Sequence, residues 1–277
     1  MKPVVLAFTT DQHCGSTVAL CPKRIDLDDG GEYAASKAQQ WLFQCWGDYW
    51  KRVDAVRRAE RATLYTVFGG DLVEGSHHHT TQILSGNPNA QAAAVNACMA
   101  VPLALKPDKI FVIRGTEAHV GSSASAEERI ADGLWRDKRP VQRDPESGTA
   151  SWWHLRMEVL GHLLDITHHG RTGMREHTRG GAAVLHAHDI LLSHVKNGDR
   201  APELCLRGHY HKFNDSHDAA PVRVVTGGAW QLKTAYVHKV AADSLADIGG
   251  VIVTIKPKEI VLEKVHFRAQ RGPVWHE

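Results

Sequence analysis

The chain lacks the features that mark membrane proteins, disulfide scaffolds and secreted proteins. No apolar run reaches the roughly 18 residues that a transmembrane helix needs. Its 5 cysteines are scattered, odd in number and without C-x-x-C spacing, which argues against a disulfide framework or structural zinc knuckle and favours a reducing compartment. A single lysine precedes the first apolar stretch, so we expect no cleavable signal and a cytoplasmic location.

A strong charge of either sign is also missing. The formal net charge is +2, whereas a dedicated binder of double-stranded DNA would be more basic. Hydrophobic residues make up 43% and charged residues 23% of the chain, which is typical of globular proteins. No internal repeat or low-complexity segment divides the sequence, so residues 1–277 are predicted to form a single domain. The 19 histidines are many for this length and raise the expectation of metal chemistry.

Apolar runs and helical stripes alternate along the chain, which is typical of an α/β fold. Helices are predicted at residues 32–61, 89–100 and 126–136, the second of them ended by Pro102. Strands are predicted at residues 4–8, 64–68, 109–113, 189–192, 204–206, 222–225, 250–255 and 260–266, with a hairpin formed by 152–159 and 163–167.

Five of the loops between these elements share one design, an apolar strand followed by Gly or Thr and then by Asp, Glu or His. They carry Asp11 and His13, Asp71, Glu117 and His119, His169, and finally His209 and His211. If the chain stays extended, Asp11 and His13 point to the same side and reach one ion. Mixed carboxylate and imidazole ligands suit a borderline divalent metal. Ligands from several strand ends converge where those ends meet at one edge of a sheet.

The ordered set resembles the motifs of the calcineurin-like metallophosphoesterases over roughly residues 4–230. The motifs are Asp11-x-His13, Gly70-Asp71, residues 115–119, His169-Gly170 and Gly208-His209-x-His211. The resemblance implies a two-layer mixed β-sandwich flanked by helices, a four-layer αββα fold. It also implies two divalent metal ions, manganese first, with iron, zinc, nickel or magnesium as alternatives. By position, Asp11, His13 and His211 would hold the first ion, His169 and His209 the second, and Asp71 would bridge both.

The third motif departs from the family pattern, in which Gly-Asn-His is followed by an acidic residue. This chain has Gly115-Thr116-Glu117-Ala118-His119. One interpretation makes Glu117 the substitute metal ligand and His119 the general acid or phosphate-contacting imidazole. The other places Thr116 in the asparagine position and leaves Glu117 behind the ligands. The first is preferred because a carboxylate is a better ligand than a hydroxyl.

Other residues near these motifs have weaker signals. Arg171 and Arg175 follow His169 in one glycine-rich loop and are candidates for contact with substrate phosphate, because guanidinium groups fit phosphate oxygens. His168 is interpreted as a neighbour of the ligand rather than a ligand, since the family residue stands directly before a glycine. Glu74 either orients a ligand or has a structural capping role. The loop with the histidines of positions 77–79 is expected to be exposed or to line the substrate site.

The implied activity is hydrolysis of a phosphate mono- or diester by a metal-bridging hydroxide, with Asp71 and His119 as the catalytic pair. The Gly-Thr-x-x-His variant resembles phage and prophage proteins, so the expected setting is a bacterial or phage-infected cell. The expected partners are a phosphoester, a nucleotide or a nucleic-acid end, and no membrane.

Two alternatives remain open. One is a nuclease of the SbcD group that acts on DNA ends or single strands. The small net charge and the lack of an evident capping domain after residue 230 disfavour it. The other is a non-catalytic metal-binding interaction module, which the intact ligand set disfavours.

Overall fold

Strand β1 (Val4–Thr9) lies at the centre of a five-stranded sheet. The computed structural model describes residues 1–27, 29–77, 80–171, 173, 176–272 and 274–276. The other strands of this first sheet are β4 (Thr63–Phe68), β5 (Lys109–Val112), β11 (Ile248–Lys256) and β12 (Glu259–Phe267), in the spatial order β12-β11-β1-β4-β5. Strands β1, β4 and β5 are parallel, so the loops that follow them leave the same edge of the sheet.

A second five-stranded sheet packs against the first. Its strands are β6 (Leu155–Val159), β7 (His162–Ile166), β8 (Leu204–Arg207), β9 (Asn214–Asp215) and β10 (Arg223–Thr226), in the order β6-β7-β8-β10-β9. A two-stranded ribbon, β2 (Arg24–Asp26) with β3 (Glu32–Ala34), lies apart from both sheets. The predicted hairpin is confirmed as β6 and β7, which turn through Leu160 and Gly161.

The alternation of side chains along β1 divides the core into two layers. Leu6 and Phe8 are fully buried between the two sheets, in one cluster with Leu204 and Leu206. Their neighbours with odd numbers, such as Val5, point to the opposite face and join the cluster beneath the helices. Burial on both faces explains why β1 is apolar throughout rather than alternating.

Helices cover the outer face of each sheet. They are α1 (Lys37–Ala59), α2 (Pro88–Ala104), α3 (Glu117–Val120), α4 (Ser125–Arg136), α5 (Arg179–Asn197) and α6 (Ala235–Val240), with 3₁₀ helices at Ser122–Ala124 and Glu176–Thr178. Helices α1, α2 and α4 share a core with the first sheet, and α5 packs on the second. The predicted four-layer mixed α/β fold is therefore confirmed. Among the described residues, no helix combines the length and apolarity needed to cross a bilayer.

Helix α1 begins five residues later than predicted. Ser36 caps it in a reciprocal arrangement with Gln39, and this capping box fixes the first turn. Residues 32–34 instead form β3. The apolar stripe of α1 lies in the core as predicted, with Trp46 and Tyr49 fully buried.

Pro102 does not end α2, which corrects the prediction. The helix continues to Ala104 with the proline inside its last turn. Proline lacks the N–H that would bond to the carbonyl four residues earlier, that of Cys98. The indole N–H of Trp46 donates to that carbonyl instead, at 3.0 Å. A side chain from α1 thus satisfies the acceptor that the proline leaves open.

The strand predicted at residues 189–192 is also wrong, because these residues lie within α5. Only Ala183 and Ala187 of this helix are buried, and Leu192 is 53% exposed. A four-residue apolar run does not distinguish a strand from part of a helix.

Replacement of Trp46 by phenylalanine should lower the free energy of unfolding by about 2–4 kcal/mol, because a cavity and an unsatisfied buried carbonyl result. Urea denaturation measures this change. In a Pro102→Ala background the restored N–H can bond to the Cys98 carbonyl, so the cost should shrink by about 1 kcal/mol. Equal costs in the two backgrounds would show that the indole bond does not compensate for the proline.

Candidate metal centre

The loop after β1 is joined by backbone hydrogen bonds to the loop after β4. The N–H of Asp11 donates to the carbonyl of Gly70, and the N–H of His13 donates to that of Asp71, both at 2.9 Å. The two loops therefore hold the first three candidate ligands in register at the same sheet edge.

The backbone at the candidate ligands is left-handed rather than extended. Asp11 has φ 57°, His13 46°, Asp71 52°, His209 76° and His211 54°. This corrects the expectation of an extended Asp11 and His13, although both side chains still reach one place. Non-glycine residues in this region cost on the order of 1–3 kcal/mol each and cluster at functional sites.

Asp11, His13 and His211 form a compact triad. The Nε2 atoms of His13 and His211 lie 3.1 Å apart, and Oδ1 of Asp11 lies 3.3 Å from Nε2 of His211 and 3.8 Å from Nε2 of His13. Oδ2 of Asp11 accepts hydrogen bonds from the Thr10 hydroxyl and the His209 N–H. Oδ1 is buried and accepts no hydrogen bond from the described residues.

Asp71 contacts His168, which also lies near Asp11. Its Oδ2 lies 3.1 Å from Nε2 of His168, and its Oδ1 accepts a hydrogen bond from the N–H of Thr116 at 2.6 Å. The Nδ1–H of His168 donates to the carbonyl of Gly69 at 2.8 Å, which directs Nε2 into the site. His168 is 1% exposed and lies 4.0 Å from Oδ1 of Asp11. His168 was interpreted from the sequence as a neighbour of the ligand, but its position makes it a candidate ligand itself.

A second group consists of His168, His169 and His209, whose ring nitrogens converge. Between the latter two stands the hydroxyl of Thr116, 3.3 Å from Nε2 of His169 and 3.1 Å from Nδ1 of His209. His169 is the most exposed member of the group. The sequence pattern identified His169 and His209, and the adjacent pair of histidines was the signal for His168.

Glu117, predicted as a metal ligand, lies outside both groups. Its carboxylate is exposed and accepts a hydrogen bond from the N–H of Ser123 at 2.9 Å. Helix α3 begins at this residue and turns its side chain away from the strand ends. Thr116, the residue before the helix, is the one that faces the imidazoles.

His119 flanks the first triad. Its ring centroid is 4.5 Å from that of His13, and its Nδ1–H donates to the carbonyl of Glu74 at 2.9 Å. Burial first and the neighbouring His13 second lower the pKa of His119 to about 4. The imidazole is therefore neutral at pH 7, with Nε2 as its proton-accepting atom.

Glu74 supports the ligands from behind. Its Oε2 lies 3.0 Å from Nδ1 of His13 and accepts a hydrogen bond from Gln231 at 2.7 Å. Its Oε1 lies 3.1 Å from Nε2 of His77. A carboxylate behind a metal-binding imidazole fixes the ring and its tautomer. The orienting role considered for Glu74 agrees with these contacts.

Glu127 is a member of the site that the motif analysis missed. Its carboxylate accepts hydrogen bonds from the N–H groups of Gly115 and Leu72, at 2.5 and 3.3 Å. Complete burial, and then the nearby Asp71, raise the pKa of Glu127 to about 8. An acidic residue within the buried stripe of α4, beside Ile130 and Ala131, was the available signal.

Two glycines allow the close approach of these loops. A Cβ atom at Gly115 would lie 2.2 Å from Oδ1 of Asp71. A Cβ at Gly208 would lie 2.1 Å from the hydroxyl oxygen of Thr10. Any side chain at either position would push Asp71 or Asp11 out of place.

The two buried carboxylates dominate the electrostatics. Burial alone would raise the pKa of Asp11 and of Asp71, but His168 and the other nearby imidazoles hold both well below the usual range. Conversely, burial opposes a proton on His168, but Asp71 and Asp11 raise its pKa to about 9. Burial likewise opposes a proton on His13, whose pKa is raised well above its usual value by Asp11 and Glu74. The site thus has a strong preference for positive charge.

The donor set fits divalent ions. An ion with bonds of about 2.1 Å holds tetrahedral ligand atoms about 3.4 Å apart, close to the separations within the Asp11 triad. The open Oδ1 of Asp11 is a buried acceptor that a cation would satisfy. In the second group, burial and the charge of His168 lower the pKa of His209 to about 4, so that its lone pair is available at neutral pH.

Of the two predicted phosphate-binding arginines, the one that the structure describes does not join this cluster. Arg171 is exposed and forms an ion pair with Asp189 of α5. Arg175, together with His78 and His79 of the other predicted loop, lies outside the described residues.

Neither a family model nor a curated protein matches this chain. Solved structures similar to it include Vps29 complexed with Zn²⁺ from Entamoeba histolytica, at 6% identity and a TM-score of 0.40, over 95% of this chain and 99% of that one. Another is a dimetal phosphatase from Danio rerio, at 11% identity and 0.42, over 94% and 98%. A third is the 5′-nucleotidase of Candida albicans, at 10% identity and 0.33, over 82% and 45%.

The metal-free protein should lose stability as the pH rises from about 6.5 to about 9. The pKa of His168 is raised by folding to about 9, from about 6.5 in the unfolded chain, so its contribution is complete below pH 6.5 and lost above pH 9. The loss should be on the order of 3 kcal/mol, measured by urea denaturation of EDTA-treated protein. His168→Asn should reduce this slope, and the control His217→Asn should not. An unchanged slope in His168→Asn would contradict this account.

Proposed function

We propose that this protein is a metal-dependent phosphoesterase with a dinuclear centre. The observation that carries the proposal is the convergence of two buried carboxylates with five imidazoles from strand ends of both sheets, with Oδ1 of Asp11 accepting no hydrogen bond from the described residues. An interaction module has no need of such a costly arrangement, because buried carboxylates without cations are destabilising.

The geometry supports the following distribution of ligands. Asp11, His13 and His211 would hold the first ion. His168, His169 and His209 would hold the second, with the Thr116 hydroxyl between the latter two imidazoles. Asp11 and Asp71 lie between the two groups, next to His168, so either carboxylate is placed to be shared. Mixed carboxylate and imidazole ligands accept several divalent ions. Manganese is the first of these to test.

Divalent ions in such a centre supply activation of water and neutralisation of charge on the phosphoryl group. The residues of the chain provide the remaining functions. Glu74 and the Gly69 carbonyl orient His13 and His168. His119 is proposed to transfer a proton to the leaving group at Nε2, the ring atom not engaged with Glu74. The negative charge of a bound phosphoester would raise its lowered pKa toward the range that this role requires.

Purified protein with added Mn²⁺ should bind two ions and hydrolyse bis-p-nitrophenyl phosphate or the monoester. Asp71→Asn should abolish turnover, because one of the two carboxylates is lost. His119→Ala should lower kcat by about 100-fold or more with unchanged metal content. Metal analysis and p-nitrophenol release measure these outcomes. Bound metal without hydrolysis of any phosphoester would favour the interaction module, and the absence of bound metal would refute the proposal.

Thr116 and its neighbour Glu117 provide a matched pair of variants. Thr116→Ala should weaken the second ion, raising the Mn²⁺ concentration for half-maximal activity several-fold, because the hydroxyl stands between His169 and His209. Glu117→Gln should change it by less than about twofold, since the carboxylate only caps the turn at Ser123. Titration of activity with Mn²⁺ measures both. A larger effect of Glu117→Gln than of Thr116→Ala on the Mn²⁺ requirement would instead support Glu117 as the ligand.

A further inference from the structure

A groove with a volume of about 1000 Å³ runs between α2 and α4. The lining residues of α4 are Ser125, Ala126, Arg129, Ile130, Gly133 and Leu134, which recur at intervals of three and four and so form one stripe. The lining residues of α2 include Asn89, Ala92, Asn96, Ala100 and Ala104. Both helix faces therefore border the groove for most of their length.

Small side chains keep the two helices from filling this space. Ala92, Ala100 and Ala104 face Ala126 and Gly133 across the groove. A Cβ atom at Gly133 would contact nothing within 4 Å. At about 1.5 Å per residue, the stripe from Ser125 to Asp137 is about 18 Å long. The groove is long enough for several units of an extended chain.

The candidate metal centre adjoins the groove at His119. Gly75 and His119 line the groove, and the His119 ring stacks edge-on against His13 of the first triad. The N–H of Gly75 donates to Gln91 of α2, which ties the groove to the loop after β4. A molecule that extends from the metal centre past His119 would enter the groove.

Three cationic and two acidic side chains line the groove. Lys106, Arg129 and Arg139 contribute cationic side chains, and none forms an ion pair with the residues that the structure describes. The acidic lining residues are Glu117, which is engaged at Ser123, and Asp137. The charged lining residues therefore sum to +1, with the three cations free of carboxylate partners among the described residues.

We infer that this groove binds a single strand of nucleic acid whose scissile phosphodiester lies at the metal centre. The inference rests on the proposed function and specifies its substrate class. A phosphodiester backbone supplies repeated negative charges to unpaired cations along an extended path. No Phe, Tyr or Trp is among the described lining residues, so base stacking contributes little and binding is independent of base sequence.

The first test compares a polymer with a small ester. Fluorescence anisotropy measures binding of a labelled 12-nucleotide oligothymidylate, and p-nitrophenol release measures turnover of bis-p-nitrophenyl phosphate with Mn²⁺. Arg129→Ala combined with Arg139→Ala should raise the Kd for the oligonucleotide at least tenfold at 50 mM salt and make the salt dependence about 1.4 powers shallower. Hydrolysis of the small ester should change by less than twofold. Lys258→Ala, in the β11–β12 turn, is the control and should leave both unchanged.

A second test blocks the groove without changing its charge. Gly133→Leu should weaken oligonucleotide binding at least tenfold and preserve both the folded state and hydrolysis of the small ester. Gly47→Leu is the matched control, because a Cβ atom there also contacts nothing within 4 Å and the residue lies on α1. Circular dichroism and thermal unfolding confirm that each variant is folded.

The outcomes separate the two proposals. Hydrolysis of the small ester with no oligonucleotide binding, or with binding unaffected by the groove variants, would overturn the groove inference and leave the phosphoesterase standing. Failure to hydrolyse any ester would overturn the proposed function, whereas anisotropy would still report on the groove. Duplex DNA that competes as well as the single strand would also contradict the inference, because the inference assigns the groove to a single strand.

Discussion

The juxtaposition of two buried carboxylates, Asp11 and Asp71, is the constraint on which the rest of the site depends. Both carboxylates are almost inaccessible to solvent and lie a few ångströms from the same imidazole, that of His168. Two buried negative charges are unstable unless cations compensate them. Protonated His13 and His168 provide this compensation in the metal-free protein, as their raised pKa values indicate. Divalent ions can take the same place and displace those protons. Metal ions and protons are therefore alternative sources of the positive charge that compensates these two carboxylates.

The same constraint accounts for the unusual backbone. Oxygen and nitrogen ligands from separate loops converge only if the chain turns sharply after each strand, and left-handed residues make those turns. Hydrogen bonds between the loops after β1 and β4 hold the strained conformation, and the N–H of Trp230 adds a bond to the Asp11 carbonyl. The two apolar layers around β1 in turn hold the strands that carry these loops. The favourable packing of the core thus offsets the cost of the strained backbone at the strand ends.

Much of the fold could be predicted from local pattern. Runs of buried apolar residues located β1, β4, β5 and β8, and the helical stripe of α1 identified its buried face. Two of the errors arose where a distant residue decides the outcome. Pro102 remains in a helix because an indole from α1 satisfies the Cys98 carbonyl, and residues 189–192 are helical because α5 packs as a unit on the second sheet. No local propensity encodes either contact.

The sequence by itself determined the chemical types in the site and their order, because each strand end carries its own Asp or His within a short motif. Only the tertiary structure decided which atoms meet. It placed the hydroxyl of Thr116, rather than the carboxylate of Glu117, beside the imidazoles, and it brought His168 beside Asp71 through a bond to the Gly69 carbonyl. It also placed Glu127, from a helix of no recognised motif, behind both loops. These choices depend on distances between segments remote in the chain, which a linear pattern does not contain.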